Sequence, residues 1–241
     1  MTTTTHLARF PMATPPSTAD VWYPPAESKA CRKPALKSRG SSRGAIVGPD
    51  NRVRVYESFL EARAMLVLMA RSDVAQIEEQ QTAWYVDASG KKRWHVFDFL
   101  VTKTTGERIA VAVKPSQKAE SLGLVDILKD IARRISRRFA DRVVLMTERS
   151  FDRVSVFNAE AELSSLHCPA TSADAEVMRV VESMAGAATI GAIAAATGFA
   201  GEAFWAIVRL IAKGVLKLVQ HCKITTRALV RRAAPVVAGA H

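Results

Sequence analysis

Two short apolar segments joined by a four-residue turn constrain this chain more than any other feature. RWHVFDFLVT (93–102) and RIAVAVKP (108–115) are rich in β-branched and aromatic residues, and TTGE (104–107) lies between them. That pattern predicts a β-hairpin. A turn centred near Thr105 sets Asp98 across from about residue 112. Side chains alternate faces along a strand, so Ala112 and Lys114 are expected on the face of Asp98. A slip of one residue would separate them. In this register a carboxylate and an ammonium stand together at the edge of an apolar sheet.

The flanking pattern extends the hairpin into a domain. SFLEARAMLVLMARS has apolar residues at helical spacing, with Ser58 as its N-cap. VAQIEEQQTAWYVD reads as a strand that ends at a turn on Ser89 and Gly90. SLGLVDILKDIARRISRRF reads as one amphipathic helix with the apolar stripe Leu128, Ile131, Ile135 and Phe139. Arg133, Arg134, Arg137 and Arg138 lie off that stripe, where they suit phosphate contacts. DRVVLMTE is a short buried strand, and VSVFNAE reads as one more. The order predicts an α/β arrangement around a mixed sheet.

After Cys168 and Pro169 the pattern turns helical. ADAEVMRVVESMAG is expected to end at Gly186. IGAIAAATG has Thr189 as cap and Gly198 as stop, GEAFWAIVRLIAKG ends at Gly214, and VLKLVQ follows as a strand. Three short helices and a strand suggest a small winged-helix-like C-terminal domain. Its third helix is expected to show Glu202, Ala206, Arg209 and Lys213 on the polar face. That face is poor for reading bases and favours docking on a protein. The expected organisation is a flexible basic arm over 1–50, including the run from Lys29 to Arg43, a catalytic domain over 51–166, the helical domain over 170–232 and a tail over 233–241.

The formal net charge of +11 and a pI near 10.0 point to a polyanionic partner. Cys31, Cys168 and Cys222 are far apart and odd in number, with no CxxC pair, which argues against a zinc site or a disulfide framework. The first residues lack a continuous apolar stretch, and AATIGAIAAATGFAG is too weakly apolar to span a bilayer. Together these predict a cytoplasmic protein that does not enter a membrane.

Glu61 on the first helix joins Asp98 and Lys114 if that helix packs on the sheet. Two carboxylates offer hard oxygen ligands to Mg²⁺, and a lysine can orient water or offset developing charge. Such a group suits hydrolysis of a phosphodiester. The segments SFLEARAML, VAQIEEQ, VFDFLV and IAVAVKP, in this order, resemble the catalytic domain of TnsA-type endonucleases, the endonuclease subunits of heteromeric transposases. The resemblance covers roughly 51–160, and the helical region after it resembles the smaller C-terminal domain of that family. It implies a restriction-endonuclease-like fold with the motif of a helix acid followed by D…(E/Q)xK. Glu61 matches the helix acid, Asp98 the aspartate and Lys114 the lysine, and the Val113 carbonyl would be a further metal ligand.

The resemblance also implies Mg²⁺ or Mn²⁺ as cofactor, and transposon-end DNA, a DDE-type transposase and an ATP-dependent regulator as partners. The chain has no Walker motif and no DDE-like triad of its own. It departs from the motif at Ala112, where the (E/Q) position holds a methyl group. Either one metal is held more weakly, or Gln80, Gln117 or Glu120 fills in, or the site is inactive. Two other readings remain beside the transposase endonuclease: a stand-alone restriction or repair nuclease, and a non-catalytic DNA-binding or assembly subunit.

Overall fold

The computed structural model describes residues 23–31 and 42–233, which divide into two compact units at Asp152/Arg153. The first unit begins with a small antiparallel pair, β1 (Gly44–Val47) and β2 (Val53–Tyr56). Helix α1 (Phe59–Ala70) follows. Then come β3 (Val74–Val86), β4 (Lys92–Lys103), β5 (Arg108–Val113), α2 (Ser116–Ser121), α3 (Leu124–Arg134) and β6 (Arg142–Met146). The four-stranded sheet has the order β3-β4-β5-β6. Its first two pairings are antiparallel, and β5 pairs with β6 in parallel, with α2 and α3 forming the crossover. The unit is therefore mixed α/β.

Local chemistry accounts for these elements. Ser58 caps α1 by accepting from the Glu61 N–H, as its position suggests. The β4–β5 turn closes with Lys103 N–H on the Glu107 carbonyl at 2.9 Å, and Gly106 supplies the required φ of 88°. The single helix expected over 121–139 is not observed. Gly123 takes φ 59° and separates α2 from α3, and α3 stops at Ile135, whose backbone is extended. Arg133 and Arg134 thus end the helix, and Arg137 and Arg138 lie in the turn beyond it. Ile135 and Phe139 still pack against the core that holds Leu128 and Ile131.

The sheet does not alternate evenly. Ala83 and Phe97 pack on the α3 side, and so do Leu100, Ala110 and Ala112. Along β4 the inward position thus changes from odd to even between Phe97 and Leu100. The change falls at Asp98 and at Gln80, which the register sets opposite it and whose φ is 51°. Neither residue belongs to the ladder between β3 and β4, although the pairs on either side of them do. One left-handed residue turns the ribbon over, so that its two halves present opposite parities to α3.

Part of the arm expected to be flexible is folded. Residues 23–31 run beside β3, where Ser28 donates to Glu79 and Lys29 pairs with Glu78 at 2.9 Å. Arg54 on β2, only 1% exposed, ties the β1–β2 turn to β3. It holds Asp50 through two bonds of 2.7 and 2.8 Å and donates to the Ile77 carbonyl at 3.1 Å. Burial pushes the Asp50 carboxyl up, but the Arg54 guanidinium outweighs it and leaves the group below its ordinary value. At Gly48 a Cβ would lie 2.2 Å from the guanidinium, so a side chain there would have to displace the Arg54–Asp50 pair. Of the basic run, 32–41 lies outside the described residues, as does the tail over 234–241.

In the second unit VSVFNAE is not a strand but the start of α4 (Arg153–His167). Its alternating valines suggested a strand, but Ala159 and Leu163, four residues apart, are what it buries. Asn158 fixes it by donating to the Cys222 carbonyl (2.9 Å) and accepting from the Ile224 N–H (2.8 Å). The boundary therefore precedes α4 rather than following residue 166. Then come α5 (Ser172–Glu182), β7 (Ala187–Thr189), α6 (Ile190–Thr197), α7 (Ala200–Ala212), β8 (Leu216–Leu218) and β9 (Leu229–Arg232). The three strands form an antiparallel sheet in the order β7-β9-β8.

Thr189 and Gly198 bound α6 as expected, whereas α5 stops at Glu182, short of Gly186. The expected polar face of α7 holds at Glu202 and Lys213, which are exposed, but not at its middle. Ala206 and Arg209 are buried, and Arg209 grips Asp174 at 2.8 and 2.7 Å and donates to the Ser165 carbonyl at 3.1 Å. Among the described residues no helix is long and apolar enough to cross a membrane, and all three cysteines are free thiols.

Removing Arg54 leaves Asp50 half-buried and the Ile77 carbonyl without this donor. Arg54→Ala is expected to cost about 3–5 kcal/mol, the range for breaking a buried pair from one side. Urea unfolding checks this, and an unchanged midpoint would show that the fold does not depend on the Arg54–Asp50 pair.

Candidate active site at the fork of two strands

The β4–β5 ladder runs from Thr102↔Arg108 to Phe99↔Val111 and then opens. Continued by one step, this register sets Asp98 against Ala112, as the turn chemistry predicts. Instead of a backbone pair, the Asp98 side chain accepts from the Val113 N–H at 2.6 Å. The carboxylate takes the place of a strand carbonyl at the fork, where it feels the charges of Glu61 and Glu57 at the start of α1. The expectation that Ala112 shares the Asp98 face fails here. Ala112 is 3% exposed and packs with Ala119, Leu124 and Leu128 on the α3 side.

Around Asp98 the charges converge. Its pKa is pushed up to about 6, first by burial and then by the negative charge of Glu61. The Val113 N–H and Lys114 hold it down in part, and Glu57 raises it further. Glu61 lies in the first turn of α1 and is 5% exposed. Its oxygens accept from the Glu57 N–H and the Ser58 hydroxyl, both at 2.8 Å. Glu61 thus closes a reciprocal cap with Ser58, which accounts for its burial. An ionised carboxylate has about four acceptor positions, so the cap leaves room for a cation.

Lys114 follows β5 and donates its N–H to the Met146 carbonyl at 3.1 Å. Its ammonium acts on Asp98 and also on His95. The His95 ring, edge-on to Phe97 at 4.7 Å, has a lowered pKa from burial and from this charge, and is neutral at pH 7. His95 and Glu57 were missed in the sequence. The signals were present: Glu57 stands four residues before Glu61, and His95 lies on the same strand as Asp98.

The substitutes for a ligand at 112 are placed unequally. Gln80 is buried and faces Asp98 across the β3–β4 ribbon. Gln117 is exposed, and Glu120 is committed to an exposed pair with Arg149 at 3.6 Å. Among the described residues there is no group of three or more His, Cys, Asp or Glu side chains placed to hold a metal. The raised pKa of Asp98 reflects first its burial and then the nearby charge of Glu61.

The four arginines are exposed. Arg134 is paired with Asp130 at 3.0 Å, Arg133 donates to the Lys129 carbonyl at 3.2 Å and Arg137 to the Asp141 carbonyl at 3.4 Å. The Arg138 carbonyl accepts from Arg108.

A carboxyl whose folded pKa is raised costs the fold stability as pH climbs from its unfolded value, near 4, through about 6, and the cost persists above that. Asp98→Asn removes it. Without metal the variant should be more stable than wild type at pH 7–8, on the order of 1–3 kcal/mol, and the difference should vanish near pH 4. Thermal unfolding across that range checks the sign; a variant less stable at pH 8 would show that the charge of Asp98 is held favourably.

A scan against protein-family models finds no match to this chain, and a search of curated proteins finds none either.

Proposed function

We propose that this chain is a metal-dependent DNA endonuclease subunit of a heteromeric transposase, similar to TnsA-type endonucleases, that cuts the 5′ strands at transposon ends. The observation that carries the reading is the Asp98 carboxylate in the β4–β5 fork, with Glu61 and Lys114 close enough to shift its pKa in opposite directions. A helix acid, a strand aspartate and a lysine after the neighbouring strand suit a restriction-endonuclease-like core. The mixed sheet with one parallel pair and a helical crossover agrees with that fold.

Glu61, Asp98 and the Val113 carbonyl would hold Mg²⁺ or Mn²⁺, which supplies Lewis acidity toward the phosphoryl oxygen when bound. Lys114 orients the attacking water and offsets charge that develops on the phosphate.

The second unit has the order helix, strand, helix, helix, strand, strand of a winged helix, preceded by α4. Its α7 occupies the place of the helix that enters a DNA groove in such units, yet Ala206 and Arg209, expected on its polar face, are buried, and Arg209 ties it to the end of α4. This favours docking on a partner protein, with a DDE-type transposase and an ATP-dependent regulator the expected partners. Lys217, Lys223, Arg227 and Arg231 around β8 and β9 reach solvent and suit phosphates. The packing of Ala112 into the core favours a second reading, a non-catalytic DNA-binding or assembly subunit, because that position offers the metal no ligand.

The separating experiment is cleavage of end-bearing DNA by the reconstituted transposase with Mg²⁺ or Mn²⁺. Asp98→Ala and Lys114→Ala are each expected to abolish 5′-strand cleavage while the protein still assembles. Wild-type rates in either variant would refute the assignment. For binding without metal, replacing Arg133, Arg134, Arg137 and Arg138 by Gln should reduce the slope of log affinity against log salt by about 2–4, near one for each phosphate that the arginines neutralise. An unchanged slope would mean that these arginines serve only as a solvated face.

A further inference from the structure

The outer end of the β3–β4 ribbon carries two tryptophans that the endonuclease reading does not use. Trp84 and Trp94 are direct cross-strand partners and are 66% and 60% exposed. Val86, one step nearer the turn on the same face, is exposed as well. The reverse face of this ribbon end, through Ala83 and Phe97, packs on the α3 side. The tryptophan face is therefore turned to the side of the sheet that carries α1. Exposed large apolar groups grouped in this way mark a contact surface, and two indoles side by side offer planar stacking faces.

Charge selects the occupant. The turn of the ribbon carries Lys91, Lys92 and Arg93, all exposed, against one acid, Asp87, which Arg93 already engages at 2.8 Å. An aromatic pair edged by cations suits a polyanion that also presents flat bases. Two copies of this chain meeting through the same face would bring their own lysines together. The place along the strand fits too. Trp94 precedes Asp98 by four residues, which is about 13 Å at roughly 3.3 Å per residue. That is about four stacked nucleotides at roughly 3.4 Å each.

We propose that Trp84 and Trp94 form a stacking platform for unpaired bases of the DNA strand that runs through the Asp98 fork, with Lys91 and Lys92 on its phosphates. The proposal rests on the endonuclease reading for its partner, DNA, but not on catalysis. Duplex bases hide their faces, so the platform discriminates in favour of frayed or single-stranded segments. It holds open the DNA beside the phosphate presented to Asp98 and Lys114.

The test measures binding by the full chain in EDTA, with fluorescein-labelled oligodeoxythymidine and a blunt duplex as probes. Three proteins are compared: wild type, the double variant Trp84→Ala/Trp94→Ala, and Trp84→Phe/Trp94→Phe. The alanine variant should bind the single strand ten- to a hundredfold more weakly, within the range expected when base stacking is removed, and the duplex less than twofold more weakly. Phenylalanine should restore most of the affinity, and the single strand should quench indole fluorescence in wild type more than in the phenylalanine variant.

Equal single-strand binding by wild type and the alanine variant overturns the platform. So does a concentration-dependent dimer, seen by sedimentation, that the alanine variant dissolves without change in DNA binding, because the face then belongs to a second copy. An inactive nuclease leaves these binding results intact, whereas failure of wild type to bind either probe removes DNA as partner and the endonuclease reading with it.

Discussion

Where β4 and β5 part, a carboxylate does the work of a backbone carbonyl. The Asp98 bond to the Val113 N–H satisfies a donor that would otherwise lose its strand partner, and it does so with a group that can carry charge. The cost shows in the pKa. Burial and Glu61 make ionisation harder, and only the same N–H and Lys114 oppose them. Glu61 is held in its turn by the cap of α1. A helix start, the middle of a strand and a lysine beyond the next strand are thus coupled through one ionisable group. None of the three elements can shift without altering its protonation.

Much of this was legible in the residues. Turn chemistry at 104–107 predicted the register, and the spacing of Ser58 and Glu61 announced the start of α1. The facing of Ala112 was not legible, because strand alternation was carried through Asp98 unbroken. A glutamine in left-handed backbone looks like any other glutamine in sequence, and VFDFLV is apolar on both sides of its aspartate, so no polar residue marks the change of phase. VSVFNAE misled for a related reason: short β-branched runs suit a strand or a buried helix equally, and the partners of Asn158 lie more than sixty residues away. Arg209 read as surface because arginine usually is. Its burial depends on Asp174, which also caps α5.

The two units use their cations differently. In the first, Arg54 is spent inside, holding the β1–β2 turn to β3 through Asp50 and the Ile77 carbonyl, while Arg133, Arg134, Arg137 and Arg138 stay at the surface. In the second, Arg209 is interior and fastens α7 to the segment after α4. A net charge of +11 therefore overstates what is available to a polyanion, since some of it is structural. The sign of a side chain says little about its role until its neighbours are known.

The reversal at Gln80 and Asp98 makes one long ribbon into two modules joined back to back. The inner half reaches the α3 side through Leu100 and buries Ile77 and Val101 at positions of the other parity, whereas the outer half reaches α3 through Ala83 and Phe97. Each half has its own hydrophobic phase, so changes in one do not oblige the other to re-pattern. A lineage could lengthen, shorten or exchange the outer arm while the fork stayed intact. Aligning such chains by uninterrupted alternation would misplace every residue beyond the hinge by one face.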